Sequence, residues 1–160
     1  MLNYIPLSQR KQQSYTQVSD DPVADAMASI GKLESSDNYQ AIGPDIGSGN
    51  RALGKYQIMQ SNLPSWSKEA LGREVTQDEF LSSPEIQDAI ARKKMSESFK
   101  KYGNLDDVAS VWFTGRPYEQ AGGDVADVTG TTNDDYLQRF RSGLKNTMAY
   151  IPLSQRRNTL

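Results

Sequence analysis

The sequence predicts a mainly α-helical domain carrying one small glycine-rich β/loop lobe. Three observations predict it. Apolar residues recur at helical spacing in several segments, most of them opened by a capping residue or proline and closed by glycine. Between the first two such segments, residues 41–53 read AIGPDIGSGNRAL, where Gly43, Pro44, Gly47 and Gly49 forbid a long helix. A chain of 160 residues, 36% hydrophobic and 24% charged, has the size and composition of one globular domain.

Residues 1–20 are polar, rich in Gln and Ser, and read as a flexible N-terminal arm. The folded domain is expected over 21–148, followed by a short tail, 149–160. Asp21 is placed to cap a helix whose first residue is Pro22 and which runs to about Ser35, with Val23, Met27, Ile30 and Leu33 on its apolar side. The segment 41–53 favours turns or a small hairpin and leads into GKYQIM. Pro64 starts a short helix, PSWSKEAL, closed by Gly72. Thr76 and Glu79 form a capping box for another short helix. Ser83 and Pro84 open the longest helix, in which Ile86, Ile90 and Phe99 share a face and which stops at Gly103. LDDVASVWFT, residues 105–114, reads as a buried helix ended by Gly115, and 116–132 as a Gly- and Asp-rich loop without apolar rhythm. Asn133 is the expected N-cap of a last helix with Tyr136, Phe140 and Leu144 at i, i+4 and i+8.

What is missing narrows the chemistry. With no histidine and no cysteine, Ser-His-Asp and Cys-His nucleophilic sites, His/Cys zinc centres and histidine general bases are excluded, and carboxylates remain the natural catalysts. A net charge of −2 supplies no basic field, which argues against nucleic acid as a partner. No run approaches the roughly 18 apolar residues of a membrane span. The opening MLNYIPLSQRKQQSYTQ lacks the charged-then-apolar layout of a secretory signal, so synthesis in the cytosol without its own export route is expected.

Within the first helix, Glu34 continues the line of Val23, Met27 and Ile30, all within about 60° of arc at about 100° per residue. A carboxylate thus ends an apolar stripe. Desolvation there raises its pKa, and the negative end of the helix dipole raises it further. Such a group keeps its proton near neutral pH, as a general acid at a glycosidic oxygen must. The other reading has the helix ending early, with Glu34 closing a turn in solvent.

KLESSDNYQAIGP, followed some distance on by ALGKYQIM, resembles the catalytic signature of the soluble lytic transglycosylases, goose-type lysozyme-like enzymes that cut peptidoglycan. Glu34-Ser35 matches the Glu-Ser pair that closes a helix in that family, and Ala41-Ile42 its Ala-Ile or Ala-Val turn. Gly54-Lys55-Tyr56-Gln57-Ile58-Met59 matches the Gly-Leu-Met-Gln-Ile-Met type segment that lines the cleft. Where the family carries Ala-Tyr-Asn-Ala-Gly, this chain has Val111-Trp112-Phe113-Thr114-Gly115, so Phe113 stands in place of the sugar-binding Asn, and Thr114 or Arg116 is left to replace it. Asn133-Asp134-Asp135-Tyr136-Leu137 is similar to the family's Glu-Thr-x-x-Tyr-Val segment, which implies that Tyr136 lies near the acid.

The resemblance implies a lysozyme-like α+β fold over about 22–145 and a one-carboxyl mechanism without cofactor or metal. Glu34 protonates the oxygen between MurNAc and GlcNAc. As carboxylate it then takes the proton of the sugar's own C6 hydroxyl, which closes onto C1 to leave an anhydro-MurNAc end. Ser35 orients Glu34 or the substrate acetamido group. Tyr56 and Gln57 supply a ring surface and hydrogen bonds, with Ile58, Met59 and Thr114 beside them.

Other residues carry two readings each. Asp45 is either a turn former or the water-activating base of a hydrolytic muramidase. Asp124 and Asp127 are loop charges or, less in keeping with known ligand spacing, calcium ligands. Trp66 and Trp112 are core residues or sugar platforms, and Arg92-Lys93-Lys94 is a solvated helix face or an attractor of anionic wall polymer.

YIPLSQR occurs twice, as Tyr4–Arg10 and as Tyr150–Arg156. It is too short to fold alone and reads either as a duplication in the tails or as a docking motif used in two copies. A wall-cutting enzyme without a signal must be carried to its substrate. Docking through these tails to virion or tail proteins implies a bacteriophage particle as its location, made in the host cytoplasm and acting at the periplasm and cell wall. The non-enzymatic alternative is a virion or wall-binding protein of the same fold.

Overall fold

The computed structural model describes residues 20–148. Residues 1–19 of the N-terminal arm and the whole C-terminal tail, 149–160, and with them both copies of YIPLSQR, lie outside the described residues. The described residues form seven α-helices and one small two-stranded sheet. Among them no helix is long and apolar enough to cross a membrane.

Local capping decides most boundaries. Helix α1, Pro22–Ser35, begins where Asp21 Oδ1 accepts from the Ala24 amide at 2.9 Å. It ends where Ser36 turns left-handed, at φ 56°, and returns its N–H to Lys32 O at 3.0 Å. Strands β1 (Ala52–Leu53) and β2 (Ile58–Met59) are antiparallel, with Ala52 opposite Met59 and Leu53 opposite Ile58. Ile42 adds a bridge to Leu53, so the glycine-rich segment does build a small hairpin lobe. A 3₁₀ turn, Gln60–Asn62, leads into α2, Leu63–Leu71, which stops at left-handed Gly72.

Helix α3, Gln77–Ser82, is capped by Thr76, whose hydroxyl accepts from the Glu79 amide at 3.2 Å. Only half of the expected box forms, because the Glu79 carboxylate pairs with Arg73. Helix α4, Pro84–Tyr102, is capped by Ser83 and ends at Gly103. Helix α5, Leu105–Thr114, is capped by Asn104 and ends at Gly115.

The loop expected over 116–132 is more structured than its sequence suggests. It contains a single-turn helix α6, Tyr118–Ala121, and a bridge between Ala126 and Thr132. Helix α7, Asn133–Met148, follows. Its cap is Thr132, whose hydroxyl accepts from the Asp135 amide at 3.1 Å. Asn133 is instead buried, its amide donating to Ser110 Oγ at 3.1 Å and Gly122 O at 3.0 Å. Either side chain suits a cap; the demand of the buried loop for a donor assigns the roles.

Helix α1 packs chiefly on α7 and α4, and α5 on α4 and α7. Ile30, Ile90, Met95, Val108, Leu137, Phe140 and Leu144 meet in the core between them. The α1–α7 approach is close: Ser29 Oγ donates to Phe140 O at 2.7 Å, and a Cβ on Gly143 would collide with that hydroxyl. Arg141 grips Asp106 with two bonds of 3.0 and 2.8 Å, tying α7 to α5. Buried Gln87 joins three segments, accepting from the Lys55 amide and donating to Tyr39 O and Phe80 O, each at 2.9 Å. Gly54 beside it has φ +70°, and a Cβ there would strike the Gln87 amide.

Candidate active site

Glu34 sits in the last turn of α1, at the end of the stripe formed by Val23, Met27 and Ile30, all three buried. It is partly buried itself. The Tyr136 hydroxyl, from the first turn of α7, donates to Glu34 Oε1 at 2.6 Å. Burial pushes the Glu34 carboxyl up, the Tyr136 hydrogen bond pulls it back and the charge of Asp127 raises it again, to about 7. Burial and the facing Glu34 push the Tyr136 phenol well above its ordinary value, so it stays a donor.

The ring of Tyr136 is stacked on Phe113, with centroids 4.5 Å apart and planes 14° from parallel. Phe113 in turn lines a shallow cleft of about 200 Å³ with Thr114, Val125, Ala126 and Asp127. Neither Glu34 nor Tyr136 lines this cleft; the stacked Phe113 ring links it to the carboxyl and its phenolic donor. This arrangement can deliver a proton to a bound oxygen and stabilise the carboxylate left behind.

The other residues expected at the site divide. Thr114 lines the cleft, with its hydroxyl 2.8 Å from Ser110 O and 2.9 Å from Arg116 O and accepting from the Arg116 amide at 3.1 Å. Ser35 does not orient Glu34: its hydroxyl donates to Lys55 O at 2.8 Å and accepts from the Asn38 amide at 3.0 Å, pinning the hairpin lobe to the end of α1. Tyr56 offers no ring surface, being 1% exposed with its hydroxyl donating to Asp88 at 2.7 Å. Ile58 is likewise core. Both are drawn inward by the hairpin's packing on the helices. Gln57, with φ 51°, spends its amide on Gly54 O at 2.9 Å, and Met59 is partly buried opposite Ala52.

Asp45 is a turn former, its Oδ1 accepting from the amides of Gly47 at 2.8 Å and Gly49 at 3.1 Å. Trp112 donates to Tyr56 O at 3.2 Å and tilts against Trp66 at 5.7 Å, while Lys94 lies over the Trp66 ring, so the two indoles chiefly pack on each other. Arg92 pairs with Asp21, Lys93 with Glu97, and Lys94 with Glu69 and Glu97, so the basic cluster is a self-neutralised face. Asp124 is exposed. Among the described residues no group of three or more acidic side chains is arranged to hold a metal ion.

Two features escape a sequence reading. Phe113 is a structural partner of Tyr136, and Asp127 lies in the cleft, close enough for its charge to act on Glu34. The only local signal was the run Asp127-Val128-Thr129-Gly130-Thr131, which marks a turn but not its target. Compared with protein-family models, with curated proteins and with solved structures, the chain gives no significant match in any of the three.

Proposed function

We propose that this chain is a lysozyme-like peptidoglycan lytic transglycosylase in which Glu34 is both acid and base. The observation that carries the reading is the half-buried Glu34 carboxyl, raised to about 7 and held by the Tyr136 hydroxyl at 2.6 Å. Its Oε1 is held by the phenol, so the proton is carried on Oε2. Glu34 gives that proton to the oxygen linking MurNAc to GlcNAc, and the C1–O bond breaks. The Tyr136 donor favours the carboxylate so formed. The carboxylate then removes the C6 hydroxyl proton as that oxygen bonds to C1, which returns Glu34 to its starting form and leaves an anhydro-MurNAc end. The motif Glu34-Ser35, the segment Gly54–Met59 and Tyr136 are the residues on which the family resemblance rests.

Hydrolysis by a muramidase is the second reading, and Asp127 favours it as a further carboxylate at the cleft. Asp45 no longer does, since its carboxylate is occupied by its own turn. Mass spectrometry of fragments released from purified peptidoglycan separates the two. Muropeptides one water lighter than reducing ends, absent with Glu34→Gln, are the expected result. Reducing ends that also require Glu34 would favour hydrolysis, and no release by either protein would favour the non-enzymatic virion role.

Delivery in a phage particle is part of the same proposal, supported by the duplicated YIPLSQR at residues 4–10 and 150–156. A protein trimmed to residues 21–148 should keep its glycan-cutting activity and fail to enter particles; normal incorporation would remove this part of the proposal.

A further inference from the structure

The loop between α5 and α7 is built around one carboxylate. Three hydrogen bonds converge on Asp127 Oδ1, from the Thr129 amide at 2.8 Å, the Thr129 hydroxyl at 2.7 Å and the Thr131 amide at 3.0 Å. The backbone closes around the same residue, with Asp127 N–H donating to Thr131 O at 3.0 Å and Gly130 N–H to Asp127 O at 3.1 Å. The turn is anchored in its own right by the Ala126–Thr132 bridge and by the Asn133 amide on Val125 O at 2.8 Å. These bonds orient the exposed side chain on the wall of the cleft that also holds Phe113 and Thr114. Phe113 is the link to the acid, since its ring stacks on Tyr136, which is bonded to Glu34.

We infer that Asp127 is the second carboxylate of this site, its charge stabilising the positive charge that develops at C1 and the ring oxygen of a bound sugar when Glu34 protonates the leaving oxygen. The inference rests on the glycan-cleaving reading above and adds to it a residue outside the single-carboxyl scheme. The chemistry asks for such a group: breaking the C1–O bond passes through an oxocarbenium-like state, and a preorganised anion aimed at growing positive charge costs no reorganisation at the moment of reaction. Slight burial works to raise the Asp127 carboxyl, but the hydrogen bonds from its own turn outweigh it and hold the group below its ordinary value, so from mildly acidic to neutral pH Asp127 is charged while Glu34 keeps its proton.

A turn-forming Asp with no further duty would give the same hydrogen bonds, and Asp127→Asn separates the two. Asparagine keeps an oxygen for the Thr129 and Thr131 donors and removes only the charge. The expected result is a fall in kcat on the order of 10²-fold with little change in KM, together with a lower pKa of Glu34, read by NMR titration of carboxyl-labelled protein. Glu34 has Tyr136 and Asp127 as its titrating neighbours, so the NMR shift reports their proximity independently of turnover. Full kcat in Asp127→Asn, with wild type active and Glu34→Gln dead, would overturn the inference and leave the proposed function standing. No glycan release by wild type would remove both. Asp127→Ala should in addition lower the melting temperature, because it strips the turn of its acceptor.

Discussion

Tyr136 and Glu34, 102 positions apart in the chain, are joined by a 2.6 Å hydrogen bond from phenol to carboxylate. The pair sits where the end of α1 meets the start of α7, and two opposing effects balance on it. Burial holds the proton on Glu34, while the phenol favours its loss.

Removing the phenol tips that balance. In Tyr136→Phe the ring can still stack on Phe113, but Glu34 loses the bond that lowers its pKa, so its pKa rises above about 7. The alkaline limb of the pH–rate profile should move to higher pH. The maximal rate should fall by roughly tenfold or more, since a hydrogen bond to a charged group contributes about 1.5–3 kcal/mol. An unshifted alkaline limb would show that the phenol does not govern Glu34.

Stability should carry the mark of the same group. Glu34 titrates near 4.5 in its unperturbed state and near 7 in the folded protein. Between these values the folded state holds a proton that the unfolded chain has released, so stability falls as pH rises through the window. Urea denaturation at a series of pH values should show Glu34→Gln without this loss, and more stable than wild type above pH 7. The difference should shrink towards pH 4.5.

Gln87→Leu tests the anchor of the hairpin lobe. The substitution leaves the Lys55 amide and the carbonyls of Tyr39 and Phe80 without their buried partner. At about 1–3 kcal/mol for each unsatisfied group, partly relieved by relaxation, a loss of roughly 2–4 kcal/mol is expected in chemical denaturation.

Gly143→Ala pushes a methyl into Ser29 Oγ, which is held by Phe140 O. Parting α1 from α7 should cost about 1–3 kcal/mol, seen as a lower melting temperature. Because the same two helices carry Glu34 and Tyr136, activity should fall with it. Ser29→Gly in the same chain should restore part of both.

Where most helices start and stop was legible in the chain alone. Asp21 with Pro22, Ser83 with Pro84, and Gly72, Gly103 and Gly115 act on backbone groups within a turn of themselves, and such bonds form wherever the rest of the chain goes. The chain also singled out Glu34, because a carboxylate on an apolar stripe is visible in spacing alone. The surroundings of that carboxylate follow instead from how the elements pack together. Tyr56 and Ile58 turned inward and Ser35 was spent on Lys55 O because the hairpin lobe packs on the helices, a contact that no local pattern encodes. Thr132 took the cap expected of Asn133 because a buried loop needed the asparagine amide. Asp127 reached the neighbourhood of Glu34 through the folding back of residues 116–132 onto α5 and α7, so its electrostatic reach depends on distances in space that separation along the chain does not reveal.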